Sequence, residues 1–221
     1  MTLTSKLFWS QGVHQIKLIL GADIEEGEIG DFVIDFKGHH EQYFKSDIVN
    51  MGLENSLYIM DRGFASHELM LKLTERKIDF VVRLNRNCNL TRNDKNEWFY
   101  HEFRVVKITD EMGIEYWLGT NLSSEDYSDE EIGDIYRKRW YIELLWRFMK
   151  GYLKLDKIRC KSVQGATIQV LMVIIAYLLL LLIQIPVILG TNLLNKLRCV
   201  QVELQQEVNC IYWMEGYIAQ G

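Results

Sequence analysis

The amino-acid sequence predicts an α/β protein whose mixed β-sheet is flanked by helices and carries a β-rich insertion. Three features support this fold class: a strand–helix–strand unit, two strand-like runs near the start, and a long uncharged stretch near the end. They are SLYIM (56–60), HELMLKLTERK (67–77) and DFVVRL (79–84), then HQIKLIL (14–20) and DFVIDF (31–36), and finally residues 168–189. A strand–helix–strand unit joins parallel strands by a right-handed crossover, and apolar helices cover a sheet that is buried on both faces.

The elements before this unit follow from local patterns. Residues 1–12 show no clear period. The two runs after them are joined by a turn-rich, acidic link, which predicts a hairpin. Residues 37–52 predict a helix that ends near Gly52. Adjacent side chains on a helix do not face one another, so His39 and His40 predict no metal site.

Asp61 follows the first strand of the strand–helix–strand unit directly. Open α/β sheets place their ligand chemistry at the carboxyl ends of their strands. A second interpretation is that Asp61 only caps the tight turn at Gly63, because Asp and Gly are common turn residues. Ser66 is the predicted N-cap of the helix that follows.

Residues 85–127 predict the β-rich insertion, which begins with a polar loop. Its two predicted strands are EWFYHEFRVVKI (97–108) and IEYWLGTNL (114–122). Trp98, Tyr100 and Trp117 are the aromatic residues of interest here, although aromatic side chains in strands more often belong to a core.

A long helix is predicted to begin at Asp129, because Ser128 and Glu131 fit a capping box. Four of its residues share one face: Tyr136, Arg139, Glu143 and Lys150. At about 100° per residue they fall within a stripe about 60° wide, and at about 1.5 Å per residue the stripe is about 21 Å long. A carboxylate flanked by cations suits a metal ion that holds a phosphate. The alternative is a solvated helix with ordinary i,i+4 pairs, including Arg139 with Glu143.

Residues 168–189 contain no charged side chain. This length could span a bilayer, but two glutamines and Pro186 favour a helix buried in the protein. Residues 191–210 predict a further helix without an assigned role.

The net charge of −5 speaks against nonspecific nucleic-acid binding by the whole chain. Residues 136–161, however, hold nine Lys and Arg against Glu143 and Asp156, which gives +7. This basic strip predicts that one face meets DNA. The four cysteines form no CxxC pair, which indicates reduced thiols in the cytosol rather than a zinc site or a disulfide scaffold.

Two motifs resemble the IS4-type transposases, a branch of the DDE transposase superfamily. One is the spacing Tyr136-x2-Arg139-x3-Glu143-x6-Lys150, and the other is DRGF at Asp61, followed by a helix and FVVRLNRN. The resemblance extends from about residue 14 to residue 180.

The resemblance implies a ribonuclease H-like fold and a site with two divalent metals, normally Mg²⁺ with Mn²⁺ as a substitute. Asp61 and Glu143 would be catalytic metal ligands, and Tyr136, Arg139 and Lys150 would hold phosphates of the transposon end. Further expected DNA contacts are Arg62, Lys138, Arg147, Lys154 and the insertion residues Trp98 and Trp117, because an aromatic of the insertion can stack on a flipped base in this family.

The family's first aspartate has no counterpart, because residues 1–13 contain no Asp or Glu. Asp23 and Asp35 come after the expected position, and we expect neither to replace it. The expectation is therefore a transposase truncated at its amino terminus, without the first strand and with little or no activity. The alternative is a non-catalytic DNA-binding fragment that dimerises with, or inhibits, a full-length transposase.

The expected organisation has four parts: a partial catalytic core (1–84), the insertion (85–127), the rest of the core (128–190) and a helical tail (191–221). By analogy we expect a homodimer on DNA, without a membrane, in the bacterial cytoplasm at the nucleoid.

Overall fold

The computed structural model describes residues 2–9, 12–52, 54–109, 113–160 and 162–206, with side chains from Ile16 onward. The chain forms two compact units. The first contains Met1–Ile24 and Gly30–Trp146, and the second contains Glu25–Ile29 and the chain from Arg147 onward.

A three-stranded sheet opens the first unit. It consists of β1 (Thr2–Trp9), β2 (Gly12–Ala22) and β3 (Ile29–Asp35), in the order β1-β2-β3. Strands β1 and β2 are antiparallel. The predicted runs 14–20 and 31–36 are confirmed as β2 and β3, but β1 was not predicted. Its sequence alternates only as far as Thr4 and contains no Asp or Glu.

A six-stranded mixed sheet forms the centre of this unit. Its strands are β4 (Leu57–Met60), β5 (Asp79–Arg83), β6 (Thr91–Arg92), β7 (Trp98–Tyr100), β8 (Phe103–Thr109) and β9 (Glu115–Thr120). Their order is β4-β5-β9-β8-β7-β6. Strands β4 and β5 are parallel, as predicted, and the other neighbours are antiparallel. The insertion therefore extends the sheet that begins with the strand–helix–strand unit.

The predicted strand 97–108 is wrong as a single element. Tyr100 pairs with Phe103, so His101 and Glu102 form a two-residue hairpin loop between β7 and β8. His101 has a φ of 55°, a left-handed backbone conformation that is common in two-residue hairpin loops.

The helices of the first unit begin later, or end earlier, than predicted. They are α1 (Lys45–Met51), α2 (His67–Glu75), α3 (Asp129–Arg137) and α4 (Trp140–Gly151), which continues into the second unit. The predicted helix 37–52 is shorter because the Asp35 carboxylate holds the backbone N–H groups of Lys37 and His39 in a turn, and a 3₁₀ turn (Glu41–Phe44) precedes α1. Ser66 is the N-cap of α2, but its side chain makes no capping hydrogen bond.

Strand β5 is buried on both faces. Phe80 and Val82 pack in one core with Leu69, Met70 and Leu73 of α2. Val81 points to the other face and packs with Val106, Leu118, Ile132 and Tyr136. Because successive strand residues alternate between faces, the uninterrupted apolar run of β5 can hold α2 on one side and α3 on the other.

The second unit contains α5 (Val163–Leu182) and α6 (Leu193–Gln206). The prediction of a fully buried helix over 168–189 is wrong in two respects. Helix α5 ends at Leu182, where Ile183 takes an extended conformation ahead of Pro186. One face of α5 is also exposed, at Ile168, Met172, Ile175, Leu179 and Leu182. Within the described ranges, α5 is the one helix whose length and composition would allow it to cross a membrane. The predicted helix 191–210 is confirmed as far as Gln206, and 207–210 lie outside the described residues.

The capping box at the start of α3 is confirmed. Ser128 Oγ accepts a hydrogen bond from the Glu131 backbone N–H at 3.3 Å, and Glu131 Oε2 accepts one from the Ser128 N–H at 2.8 Å. Arg104 of β8 pairs with Asp129, the first residue of α3. These contacts fix the start of the helix that carries Tyr136.

We expect Ser128→Ala to lower the free energy of unfolding by about 1 kcal/mol, because it removes the acceptor for a helix N–H. Urea denaturation would measure the change. The matched control is Ser124→Ala, in the exposed turn just before the cap. Equal stabilities of the two variants would contradict a stabilising role of the cap.

Candidate active site

Asp61 lies at the carboxyl end of β4 and also caps the turn that follows. Its Oδ1 accepts a hydrogen bond from the Arg62 backbone N–H at 2.7 Å, and its carbonyl accepts one from the N–H of Phe64 at 3.0 Å. Phe64 is buried in the core, whereas Asp61 is half-buried. The turn-capping interpretation is therefore confirmed. The same turn leaves the carboxylate at the carboxyl end of β4, where a catalytic role for Asp61 stays a prediction.

The predicted continuous helix from Asp129 to Lys150 is wrong, because a tight turn separates α3 from α4. The N–H groups of Lys138 and Arg139 bond to the carbonyls three residues earlier, and those of Tyr141 and Ile142 do the same. Such bonds wind the chain more tightly than an α-helix. The stripe calculated for a continuous helix is therefore not the observed geometry. No glycine or proline marks this break in the sequence.

The turn nevertheless brings Arg139 and Glu143 together, as the i,i+4 spacing predicts. Arg139 Nη2 lies 2.7 Å from Glu143 Oε1, with 17% and 26% of the two side chains exposed. The guanidinium also lies over the Tyr136 ring, 5.6 Å from its centroid.

Asp61 acts on the same guanidinium. Burial alone would lower the pKa of Arg139, but the neighbouring Tyr136, Glu143 and Asp61 outweigh burial and raise it. Arg139 thus lies in the field of both predicted catalytic carboxylates, one from the end of β4 and one from the first turn of α4. The roles of Asp61 and Glu143 as metal ligands stay a prediction.

Tyr136 is buried, with 5% of its surface exposed. In the part of the chain that the structure describes, its hydroxyl and the Arg139 Nε are buried polar atoms without a hydrogen-bond partner. Burial raises the pKa of Tyr136 to about 12, with Asp61 adding to the shift and Arg139 opposing it. Unpaired buried donors are costly and rare in folded proteins, so two of them beside a pair of carboxylates indicate a site that a ligand completes.

An open pocket of about 780 Å³ lies beside the Asp61 turn. Its polar lining includes Gln42, Arg62, His67, Asn85, Arg86 and Tyr100. The loop of Asn85 and Arg86 was predicted as a polar loop, but neither residue was predicted as part of the site. Its position near Asp61 could have been inferred from the sequence. The loop follows the carboxyl end of β5, and the carboxyl ends of parallel strands meet at one edge of a sheet.

The insertion aromatics occupy different environments. Trp98 and Trp117 contact each other edge to face, with ring centroids 5.4 Å apart. They pack against the core, and Arg92 and Lys107 lie over their rings. Tyr100 packs against the same core, but it also lines the polar pocket.

The remaining predicted DNA-binding residues lie at the surface. Arg62, Lys138, Arg147 and Lys154 are exposed, and Lys150 is half-buried in the last turn of α4. Arg147, Lys150 and Lys154 belong to the second unit.

Asp35 has a structural environment. Its oxygens accept hydrogen bonds from the Lys37 N–H, the His39 N–H and the His39 ring. Burial alone would raise the pKa of Asp35, but these bonds outweigh it and lower the pKa. They account for a buried carboxylate without a metal, and they support the expectation that Asp35 does not replace the family's first aspartate.

Comparison with known proteins agrees with this geometry. The family model for the transposase DDE domain matches residues 7–179. A protein of Synechocystis sp., named as a candidate transposase for insertion sequence element IS4SA, is 34% identical over 226 aligned residues, which cover 97% of this chain and 67% of that protein. The transposase for insertion sequence element IS421 of Escherichia coli is 42% identical over 60 residues, which are 27% of this chain and 16% of that protein. The chain therefore belongs to the DDE transposase domain family and is of the IS4 type.

The raised pKa of Tyr136 makes a prediction about alkaline stability. Between the ordinary tyrosine value of about 10 and about 12, the folded state keeps a proton that the unfolded chain releases. The free energy of unfolding should therefore fall with rising pH across this window. Tyr136→Phe should make the fall less steep, and Tyr43→Phe, at an exposed tyrosine, should not. Urea denaturation across this pH range would measure both. An unchanged slope in Tyr136→Phe would show that the phenol is not protected.

Proposed function

We propose that this chain acts in DNA transposition by metal-dependent phosphoryl transfer, cleaving and joining strands at the ends of an insertion element. The observation that carries the proposal is the half-buried Arg139, which pairs with Glu143 and lies in the field of Asp61. Membership of the transposase family supplies the class of substrate, which is DNA.

The donor atoms of the site fit the metal that the family implies. Asp61 and Glu143 offer carboxylate oxygens, and Mg²⁺ is usually bound by one or two carboxylates together with substrate phosphates and water. We propose these two residues as the protein ligands of Mg²⁺ or Mn²⁺. When bound, divalent ions would activate the attacking hydroxyl and stabilise the leaving oxygen.

The other residues of the site would bind and orient the DNA backbone. The Tyr136 hydroxyl keeps its proton at neutral pH, because its pKa is about 12, and it can donate a hydrogen bond to a phosphate oxygen. The unpaired Arg139 Nε can donate another while Nη2 holds Glu143. Arg62 would bind phosphate at the pocket, and Lys138, Arg147, Lys150 and Lys154 would do so along the basic strip.

Among the insertion aromatics, Tyr100 is the one that the geometry favours for stacking on an unpaired base. Its ring lines the pocket beside Arg62 and Arg86, so a nucleotide there would meet an aromatic face and two cations. Trp98 and Trp117 stay predictions as DNA contacts, because each presents a ring that is partly covered by its neighbours.

The basic strip favours one alternative, which is DNA binding without cleavage as a partner or inhibitor of a longer transposase. Binding of this kind would weaken steeply with salt and would not need a metal. A homodimer, and action in the cytoplasm at the nucleoid, belong to either proposal.

The decisive experiment is strand cleavage of a duplex that carries the ends of the element encoding this chain, in Mg²⁺ and in Mn²⁺. We expect Glu143→Gln and Asp61→Asn each to lower the rate by at least about a hundredfold, because each removes a charged metal ligand. The control Glu130→Gln changes an exposed acid in the first turn of α3 and should cut normally.

Binding of the same duplex without metal, measured by gel shift, separates the two proposals. Binding without cleavage in either metal would support the alternative and overturn catalysis by this chain. Cleavage that survives Glu143→Gln would also overturn the assigned roles.

A further inference from the structure

A second group of possible metal ligands, apart from Asp61 and Glu143, includes one residue of the pocket lining, His67. It consists of His67, His101 and Glu102, whose ligand atoms all lie within 4.8 Å of one another. His67 begins α2, and the other two residues form the hairpin loop between β7 and β8. The cluster therefore joins the helix after the Asp61 turn to the tip of the insertion hairpin.

Within the cluster, the His67 ring already contacts the carboxylate of Glu102. His67 Nε2 lies 2.8 Å from Glu102 Oε2. A zinc ion bound to both atoms would separate them by roughly 3.4 Å, given Zn–N and Zn–O distances of about 2.1 Å in a tetrahedral site. The required opening is therefore small. The His101 ring stacks on His67 with centroids 3.9 Å apart and is exposed, so it is free to turn a nitrogen toward the same point.

The backbone of the hairpin loop determines which variant of His101 is best tolerated. Its φ of 55° lies in the left-handed region, where the first residue of a two-residue hairpin loop is commonly glycine. A histidine at this position costs conformational energy that a glycine would avoid.

We propose that His67, His101 and Glu102 bind a divalent cation of the Zn²⁺ type. Two imidazoles and one carboxylate suit zinc, nickel or copper, whereas Mg²⁺ prefers oxygen ligands alone. Binding would replace the direct hydrogen bond between His67 and Glu102 with bonds from both side chains to the ion. It would also hold the insertion hairpin against the start of α2, at the wall of the pocket that contains Arg62 and Tyr100.

Isothermal titration of the full chain with Zn²⁺, in buffer with excess Mg²⁺ to occupy oxygen-only sites, tests the proposal. We expect one bound Zn²⁺ in the wild type and at least about tenfold weaker binding in His101→Gly. This variant removes a ligand while relieving the positive φ, so it should fold without zinc as well as the wild type does. The control Cys88→Ser removes the thiol that lines the same pocket and should bind zinc normally.

A thermal melt provides a second reading, because a ligand that binds the folded state raises the melting temperature. Zinc should raise that of the wild type and of Cys88→Ser, but not that of His101→Gly. Wild-type protein that binds no zinc in excess Mg²⁺ would overturn the proposal. Equal affinity of the wild type and His101→Gly would overturn it too, as would loss of binding in Cys88→Ser. Zinc binding and strand cleavage are measured separately. Failure of one proposal can therefore be distinguished from failure of the other.

Discussion

Burial of β5 on both faces is the constraint on which the rest of the first unit depends. Phe80 and Val82 face α2, while Val81 faces α3. The parallel partner β4 is thereby held in register, with Met60 opposite Val82. Asp61 therefore lies at the carboxyl end of β4. Tyr136 of α3 packs on the face of β5 that contains Val81. Removal of a side chain such as Phe80 would cost about 3–5 kcal/mol and would loosen both sides of the site together.

Arg139 is the electrostatic centre of the site. Its half-buried guanidinium pairs with Glu143 at 2.7 Å and lies in the electrostatic field of Asp61. The same guanidinium leaves its Nε unpaired, and the nearby Tyr136 hydroxyl is unpaired as well. These two unpaired donors are the groups that we propose to bind phosphate.

Much of this could be predicted from the sequence because the signals are local. The apolar run before Asp61 forms β4, and the capping box at Ser128 begins α3. The i,i+4 spacing brings Arg139 and Glu143 together. The break between α3 and α4 could not be predicted, because no glycine or proline marks it. Strand β1 was missed for a similar reason, since its alternation fails at Ser5.

Features that join distant segments were the least predictable. The absence of CxxC pairs spoke against a zinc site, whereas the His67, His101 and Glu102 cluster forms only when a hairpin loop folds back on α2. From the sequence, Tyr100 could not be distinguished from Trp98 and Trp117. The pairing of β7 with β8 places Tyr100 at the pocket. The sequence also did not indicate which face of α5 is exposed, because α5 contains no charged residue.

The most direct test of the central claim is Mn²⁺ binding, measured by the electron paramagnetic resonance of free Mn²⁺, in a double-mutant cycle of Asp61→Asn and Glu143→Gln. If the two carboxylates hold one metal centre, each single variant should lose nearly as much affinity as the double variant, because ligands of one centre act together. If the two losses simply add, or if neither variant binds Mn²⁺ more weakly than the wild type, Asp61 and Glu143 do not form a shared metal site.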